Sequence, residues 1–148
     1  MEIRSLVYGD PLWASVADYA RSCSWGAGAY LATQMLENKF NDWERVFTAM
    51  EGSSIAGYCT LSATDCIHDV SYTPYISFVF VGEAYRGMRL SEKMIRCALA
   101  YAKTLHFDKV YLVSGHANLY EKYGFVKIDE KPAPWDPDTP QTIFLHLT

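Results

Sequence analysis

Apolar residues recur along the chain with two different periods, which predict two kinds of element. A three- and four-residue spacing is typical of helices, whereas alternation or a short apolar run is typical of strands. The clearest helical pattern covers residues 89–105, where Glu92, Lys93, Arg96 and Lys103 lie opposite the apolar face. That apolar face comprises Leu90, Met94, Cys97, Ala98, Tyr101 and Leu105. We therefore expect a long amphipathic helix there.

The first third of the chain predicts one strand followed by two helices. Glu2–Tyr8 alternates weakly, as a strand does. Asp10 and Pro11 then offer an N-cap and a proline at the first helical position, so a helix is expected to begin there. A second helix is expected at about 29–37, with its end near Asn38.

The rest of the chain predicts six more strands. They are expected at residues 44–50, 55–61, 75–81, 109–113, 125–128 and 142–147. The first two form a hairpin around a short turn. The run at 75–81 is expected at the centre of the sheet, and the helix at 89–105 connects it to a parallel neighbour. A short helix is expected near 117–123, and the proline-rich segment 131–140 is expected to be a loop.

Composition narrows the class of protein. A chain of 148 residues, half of them hydrophobic, suits one domain spanning residues 1–148 with a mixed α+β sheet. The net charge of −4 argues against a nucleic-acid partner. The four cysteines show no zinc-ligand spacing, and the longest apolar run, Phe78–Val81, is too short for a membrane span. Without a signal-like start, a cytoplasmic protein is expected.

The stretch from Val81 to Ser91 leaves the predicted central strand and leads directly into the long helix. Amides at a helix start lack intrahelical partners and carry partial positive charge, so they can bind a diphosphate. Arg86 and Arg89 add charged donors. The sequence therefore predicts an anion site at this turn, although a solvated helix start would have the same residues.

This stretch resembles the acyl-CoA loop of the GNAT superfamily, in which Arg/Gln-x-x-Gly-x-Gly/Ala follows a strand that ends in valine. Arg86 matches the first position and Gly87 follows it, while Arg89 and Ser91 replace the two motif glycines. Downstream, Leu119-Tyr120-Glu121-Lys122-Tyr123-Gly124-Phe125 is similar to the family's Leu-Tyr-x-Lys-x-Gly-Phe segment. Two matches in the expected order make the resemblance more specific than either one.

The resemblance implies a fold and a cosubstrate. The fold would be an α/β/α sandwich around a mixed, mostly antiparallel sheet of about six or seven strands with about four helices. The cosubstrate would be acetyl-CoA, with no metal. Residues implied to contact it are Phe80, Val81, Arg86, Gly87, Met88, Arg89, Leu90, Ser91 and Lys122. The reaction would be direct acyl transfer to an amine, with main-chain amides near Phe80 and Val81 binding the thioester carbonyl.

Catalytic roles follow in part from the resemblance and in part from chemistry. Tyr120 matches the family tyrosine that protonates the departing CoA thiolate. His116, placed one helical turn before it, is the candidate general base, with a capping or CoA-contacting histidine left open as its alternative. Weaker candidates for the base are Asp65, His68, Asp69 and Glu83. Candidates for the lining of an acceptor pocket are Trp25, Tyr30, Tyr72 and Trp135.

Two other functions stay open at this stage. A non-catalytic acyl-CoA sensor would keep the fold and the altered Arg89 and Ser91 loop. A dinucleotide- or ATP-binding domain is disfavoured, because the chain lacks Gly-x-Gly-x-x-Gly after its first strand and lacks a Gly-Lys-Ser/Thr loop. The identity of the amine acceptor, and whether the chain acts as a monomer or a homodimer, are not predicted.

Overall fold

A computed structural model of the protein describes residues 1–116 and 118–148. The strands are β1 (Glu2–Leu6), β2 (Arg45–Glu51), β3 (Ser54–Ser62), β4 (Tyr75–Val81), β5 (Lys109–Ser114), β6 (Val126–Ala133) and β7 (Asp136–Leu147). They form a seven-stranded sheet in the order β1-β2-β3-β4-β5-β7-β6. All neighbours are antiparallel except β4 and β5. The predicted mixed sheet, with 75–81 at its centre, is confirmed.

Helices cover both faces of this sheet. The α-helices among the described residues are α1 (Trp13–Ser22), α2 (Ala27–Leu36) and α3 (Leu90–Thr104). One buried cluster packs α3 against Phe47 and Cys59, and the other packs α1 and α2 against Val46 and Tyr58. Because neighbouring strand residues point to opposite faces, these pairs define the two sides of a sandwich. The predicted α/β/α layers are confirmed.

The expectation of about four helices was a slight overcount. The described part of the chain has three α-helices and two short 3₁₀ turns, at Glu83–Tyr85 and Tyr120–Tyr123. The predicted short helix at 117–123 is therefore a 3₁₀ turn that begins at Tyr120, and Ala117 lies outside the described residues. Gly124 ends this turn at φ +96°, a left-handed conformation that glycine adopts readily.

The start predicted for the first helix was wrong by two residues. Leu12, not Asp10, occupies the N-cap of α1, and no side chain caps the helix. The Asp10 carboxylate instead accepts a hydrogen bond from the Val7 amide at 3.0 Å, and its carbonyl accepts one from the Trp13 amide at 3.0 Å. Asp10 thus closes the turn between β1 and α1 rather than starting the helix.

The proline-rich segment 131–140 was expected to be a loop, but it is a β-hairpin. β6 and β7 continue through it and leave only residues 134 and 135 between them. β6 is an edge strand, and Pro132 pairs with Pro140 beyond the stretch of β7 that β5 covers. A proline there removes no hydrogen bond from a central ladder, so the hairpin tolerates it.

The two central parallel strands diverge after a single contact. Their register contains one pair, Tyr75 with Tyr111. Further along β4, the residue Cys59 of β3 faces two residues, Phe78 and Val79, which form a β-bulge. Phe78 there has φ +52°, an uncommon value for an aromatic residue. Because a bulge bends its strand, β4 separates from β5 towards its carboxyl end and a cleft opens between them.

Candidate active site

The cleft between β4 and β5 has a volume of about 1060 Å³. Its walls come from β3, β4 and β5, from the α1–α2 turn, and from the β6–β7 turn. Tyr120 and His116 both line it, as do Phe80 and Val81. Residues far apart in the sequence therefore meet in one space large enough for two substrates.

A smaller cavity of about 310 Å³ lies where β4 turns into α3, and we call it the α3 cavity. Arg86, Gly87, Arg89, Leu90 and Ser91 contribute to its lining. Within the described residues, the amides at positions 87–89 make no hydrogen bond. The first amides of α3 likewise lack intrahelical acceptors. The cavity therefore presents main-chain donors of the kind that bind a phosphate.

Arg89 and Ser91, which replace the two motif glycines, are accommodated in different ways. Arg89 occupies the left-handed region at φ 57° and ψ 32°, a conformation that glycine adopts without steric cost. Ser91 keeps its side chain within the cavity wall, where its hydroxyl shares a 2.8 Å hydrogen bond with that of Tyr123. At position 89 the backbone thus keeps a conformation typical of glycine, although the residue is arginine. At position 91 the serine side chain is part of the cavity wall and does not fill the cavity.

Arg86 lies between the two spaces and lines both. Its Nε donates to the Val81 carbonyl at 3.0 Å, and its guanidinium lies 5.7 Å from the centre of the Phe80 ring. An Nη is also 3.6 Å from a Glu83 carboxylate oxygen. Glu83 accepts a hydrogen bond from Ser24, and that bond is the main cause of the lowered pKa of Glu83. Arg86 is therefore held at the boundary by contacts that a bound anion could replace.

Tyr120 lies at the inner wall of the cleft, with only 6% of its surface exposed. Its ring packs against those of Tyr123, Phe125 and Phe144, with centroids 6.0–6.2 Å apart. Burial raises the pKa of the phenol to about 12, and the neighbouring Tyr123 adds to the shift. The hydroxyl consequently stays protonated at neutral pH, so it can donate a hydrogen bond or a proton.

The relation predicted between His116 and Tyr120 was wrong. His116 precedes the 3₁₀ turn and lies in the segment after β5, so the two do not share a helical turn. The His116 amide donates to the Ser114 hydroxyl at 2.9 Å, and its exposed side chain lines the cleft. His116 and Tyr120 thus both line the cleft, but they lie on different local structures, the segment after β5 and the 3₁₀ turn.

The other predicted contact residues are spread around these two cavities. Phe80 and Val81 line the cleft, and Phe80 also stacks on Tyr58 in the α1–α2 core at 5.5 Å. Leu90 is buried at the start of α3, whereas Met88 is 49% exposed. Lys122 is exposed on the 3₁₀ turn and belongs to the lining of neither cavity.

Three of the four candidate aromatic residues line the cleft. Trp25 comes from the α1–α2 turn, Tyr30 from α2, and Trp135 from the tip of the β6–β7 hairpin. Tyr72 lies elsewhere, because its ring stacks on Tyr111 at 4.7 Å and its hydroxyl donates to Asp129 at 3.3 Å.

The weaker candidates for the general base also separate into two groups. Asp65 and His68 line the cleft. Asp69 pairs with Lys131 at 3.4 Å outside it. Glu83 lies beside Arg86 and Ser24.

Several polar residues of the cleft were missed in the sequence. Glu44, Ser77 and Gln141 line it, and the last two are 7% and 8% exposed. Glu44 accepts hydrogen bonds from the amides of Asn41 and Ala63 at 2.8 and 2.7 Å. Ser77 and Gln141 lie within strands and Glu44 directly precedes one, so these isolated polar residues gave no periodic signal, and only the sheet brings them together.

Residues 1–116 and 118–148 contain no group of three or more His, Cys, Asp or Glu side chains arranged to hold a metal ion. No helix in those same residues has the length and apolar character needed to cross a bilayer.

The Acetyltransferase (GNAT) family model matches residues 12–125. The chain therefore belongs to the GNAT acetyltransferase family, which confirms the resemblance seen in the two motifs. This membership assigns it to acyl transfer as a general reaction class. A search of curated protein sequences found no match.

Solved structures with the same fold cover nearly the whole chain. The aminoglycoside 6′-N-acetyltransferase from Enterococcus faecium has a TM-score of 0.77 and 13% identity over 99% of this chain and 97% of that one. An aminoglycoside 6′-N-acetyltransferase complexed with coenzyme A has a TM-score of 0.75, 13% identity and the same coverages of 99% and 97%. A GNAT family acetyltransferase from Elizabethkingia anophelis with acetyl-CoA bound has a TM-score of 0.68 and 16% identity, again over 99% and 97%. At these identities the likeness establishes the fold.

Proposed function

We propose that this chain binds acyl-CoA, with acetyl as the expected acyl group, and transfers it directly to an amine in a ternary complex. The observation that carries the proposal is the arrangement of the two cavities. Val81 and Arg86 line both, so the donor-rich α3 cavity adjoins the cleft that contains Tyr120. Complexes of the same fold with coenzyme A and with acetyl-CoA support this assignment.

The cosubstrate is proposed to lie along the divergent half of β4. Its diphosphate would accept hydrogen bonds from the amides at 87–89 and from the start of α3, with Arg86 as a charged donor. Its pantetheine arm would pair with β4 near Phe80 and Val81, where β5 no longer pairs with that strand. The acyl group would then reach the middle of the cleft.

The reaction forms one bond to nitrogen, breaks one bond to sulfur, and moves a proton at each of these atoms. The amine nitrogen attacks the thioester carbon, and the C–S bond breaks as the tetrahedral intermediate collapses. Tyr120 donates its phenolic proton to the departing sulfur, and solvent restores that proton. The attacking nitrogen loses a proton through water to His116, the proposed base on the same cleft. Main-chain amides of β4 stabilise the negative oxygen.

We propose that residues 1–148 form one catalytic domain that acts in the cytoplasm. Its four cysteines are free thiols. The acceptor is an amine, as it is for the aminoglycoside acetyltransferases that share the fold.

Two measurements test the proposal together. Thermal unfolding is compared with acetyl-CoA, NAD and ATP, since a ligand at about 100 times its Kd adds about 2.7 kcal/mol of stability. Thiol release from acetyl-CoA is then followed with a panel of amines. Stabilisation by acetyl-CoA alone together with thiol release supports the enzyme. Stabilisation without release for any amine would support the sensor, and stabilisation by NAD or ATP instead would contradict both.

A further inference from the structure

An aromatic wall runs along the side of the cleft formed by β4 and the α1–α2 turn. The Phe78 ring lies 6.2 Å from those of Trp25 and Tyr30, and Trp25 stacks on Phe80 at 6.2 Å. Tyr30 is 63% exposed and Trp25 is 38% exposed, so much of this wall is available to a ligand. Phe78 has a positive φ in the β-bulge, and its side chain lines the cleft. The unusual backbone conformation therefore accompanies a ring that forms part of the wall.

Trp135 adds an aromatic ring from the β5 side of the cleft. It occupies the β6–β7 turn, lines the cleft, and has 66% of its surface exposed. Large exposed aromatic side chains on a concave surface are typical of sites that bind flat or apolar groups. The cleft therefore has aromatic surface on two sides.

A fixed carboxylate adjoins the aromatic wall. One oxygen of Asp65 accepts a hydrogen bond from the Ser77 hydroxyl at 2.5 Å, and the other accepts one from the Cys66 amide at 2.6 Å. Ser77 is the residue before Phe78 in β4, and Asp65, Ser77 and Phe78 all line the same cleft. No salt bridge involves Asp65 or Glu44 within residues 1–116 and 118–148. Each carboxylate retains lone pairs for a cation.

Four basic side chains share the cleft with these carboxylates. Arg86 lies at the boundary with the α3 cavity, beside Glu83. Lys39 is exposed, so water and salt screen its charge. His68 and His116 complete the set. The fixed charges are thus separated. The cation Arg86 lies near the end of β4, and the carboxylates of Asp65 and Glu44 lie near the end of β3.

We infer that the acceptor is a primary amine joined by a short chain to an aromatic ring, with its ammonium group at Asp65 and its ring on the wall of Trp25, Tyr30 and Phe78. The inference rests on the proposed function and specifies its substrate class. A charge-assisted hydrogen bond to Asp65 holds the ammonium until it gives one proton to water and becomes the attacking amine, and ring contacts hold the body of the substrate. An acceptor with its own carboxylate would bring that group close to Asp65 and Glu44 and would be repelled.

The first test compares three acceptors that differ by one group each, with acetyl-CoA saturating. Phenethylamine has the ring and the ammonium, L-phenylalanine adds a carboxylate, and ethylamine lacks the ring. We expect kcat/KM for phenethylamine to exceed both others by about ten-fold or more. Values for either of the other two within about two-fold of phenethylamine would overturn the inference.

Variants then test the two contacts separately. Asp65→Asn keeps the shape and a hydrogen-bond acceptor for Ser77, yet it should raise KM for phenethylamine about ten-fold while KM for acetyl-CoA is unchanged. Asp69→Asn is the matched control, because Asp69 pairs with Lys131 outside the cleft. Tyr30→Ala should lower kcat/KM for phenethylamine several-fold and leave ethylamine unaffected. Melting temperatures confirm that each variant folds.

Direct binding separates failure of this inference from failure of the proposed function. Calorimetry measures phenethylamine binding to the protein loaded with coenzyme A, and acetyl-CoA binding is measured alone. If acetyl-CoA binds but phenethylamine neither binds nor reacts, the substrate class is wrong while the proposed function stands. If acetyl-CoA does not bind, the proposed function fails, and phenethylamine binding that depends on Asp65 would still support the acceptor site.

Discussion

The α3 cavity, which adjoins one end of the cleft, and the opposite end of the cleft are built from different parts of the chain. The α3 cavity depends mainly on one continuous segment, residues 81–91, and on its backbone amides. The opposite end combines side chains from the α1–α2 turn, the loop after β3 and the hairpin tip. A backbone site tolerates replacement of its side chains, as Arg89 shows at a position where the family has glycine. A site made of separate side chains has no such tolerance, and this difference leads to the following predictions.

Tyr120→Phe is expected to have the largest effect. Removing the proposed acid should lower kcat by about 100-fold or more, while the Kd for coenzyme A stays unchanged. Steady-state kinetics and calorimetry measure the two quantities. The phenol must be protonated to donate, and a pKa of about 12 keeps it so. We therefore expect no alkaline fall in kcat from Tyr120 below about pH 10.

Tyr123→Phe is the matched control on the same 3₁₀ turn. The Tyr123 hydroxyl bonds Ser91 at the α3 cavity, so its loss should affect KM for acetyl-CoA more than kcat. Equal losses of kcat in both variants would show that the tyrosines support packing, and Tyr120 would lose its assigned role.

Gly28→Ala should damage the acceptor end through the crossing of α1 and α2. A Cβ at Gly28 would lie 2.1 Å from the Ala20 carbonyl oxygen and 2.9 Å from the Tyr58 hydroxyl, so the helices must move apart. Overpacking of this kind lowers the free energy of unfolding by about 1–3 kcal/mol. Chemical denaturation measures that change, and we expect acetyl-CoA affinity to persist below the unfolding transition.

Gly26→Ala is the control for that experiment. Nothing lies within 4 Å of a Cβ at Gly26, so its stability should stay within about 0.5 kcal/mol of the parent chain. If Gly28→Ala weakened acetyl-CoA binding as strongly as it weakened acceptor binding, the two ends would not be independent.

Arg86→Ala should weaken acetyl-CoA binding by about ten-fold, since a charged hydrogen bond to the diphosphate is lost. The effect should shrink at high salt, because screening reduces the same attraction. Arg4→Ala is a suitable control, as Arg4 is an exposed arginine of β1 that pairs with Glu2. Calorimetry at two salt concentrations measures both variants. An unchanged affinity for Arg86→Ala would mean that the amides alone bind the anion.

How much the sequence could predict differs between the same two ends. The bounds of α3 were predicted to within one residue, because its apolar face repeats over four turns. The segment around Arg86 was found by motif, since its chemistry is local. By contrast, Asp65 and Ser77 are 12 residues apart and meet only through their hydrogen bond in the folded sheet. Their sequence neighbourhood carries no periodic signal.

The β6–β7 hairpin shows why a local rule can fail. Prolines at 132, 134, 137 and 140 indicated a loop, and that interpretation depends on prolines being excluded from paired strands. Prolines are tolerated in a strand at the edge of a sheet. Which strand lies at the edge depends on the strand order, and the local sequence does not reveal that order. Trp135 was consequently proposed as a cleft residue although the hairpin that positions it was not predicted.

Arg89→Gly is expected to have the smallest effect, and it should stabilise the protein where the other substitutions impair it. Arg89 has φ 57°, where any residue with a Cβ is strained, so glycine should relieve the strain. The exposed ion pair with Glu92, at 2.7 Å, contributes little and is lost. A melting temperature about 2–4 °C higher is expected for a chain of this length. Acetyl-CoA affinity should change less than in Arg86→Ala, because the amides that form the α3 cavity keep their positions. A lower melting temperature would show instead that the arginine side chain, and not the backbone, stabilises this turn.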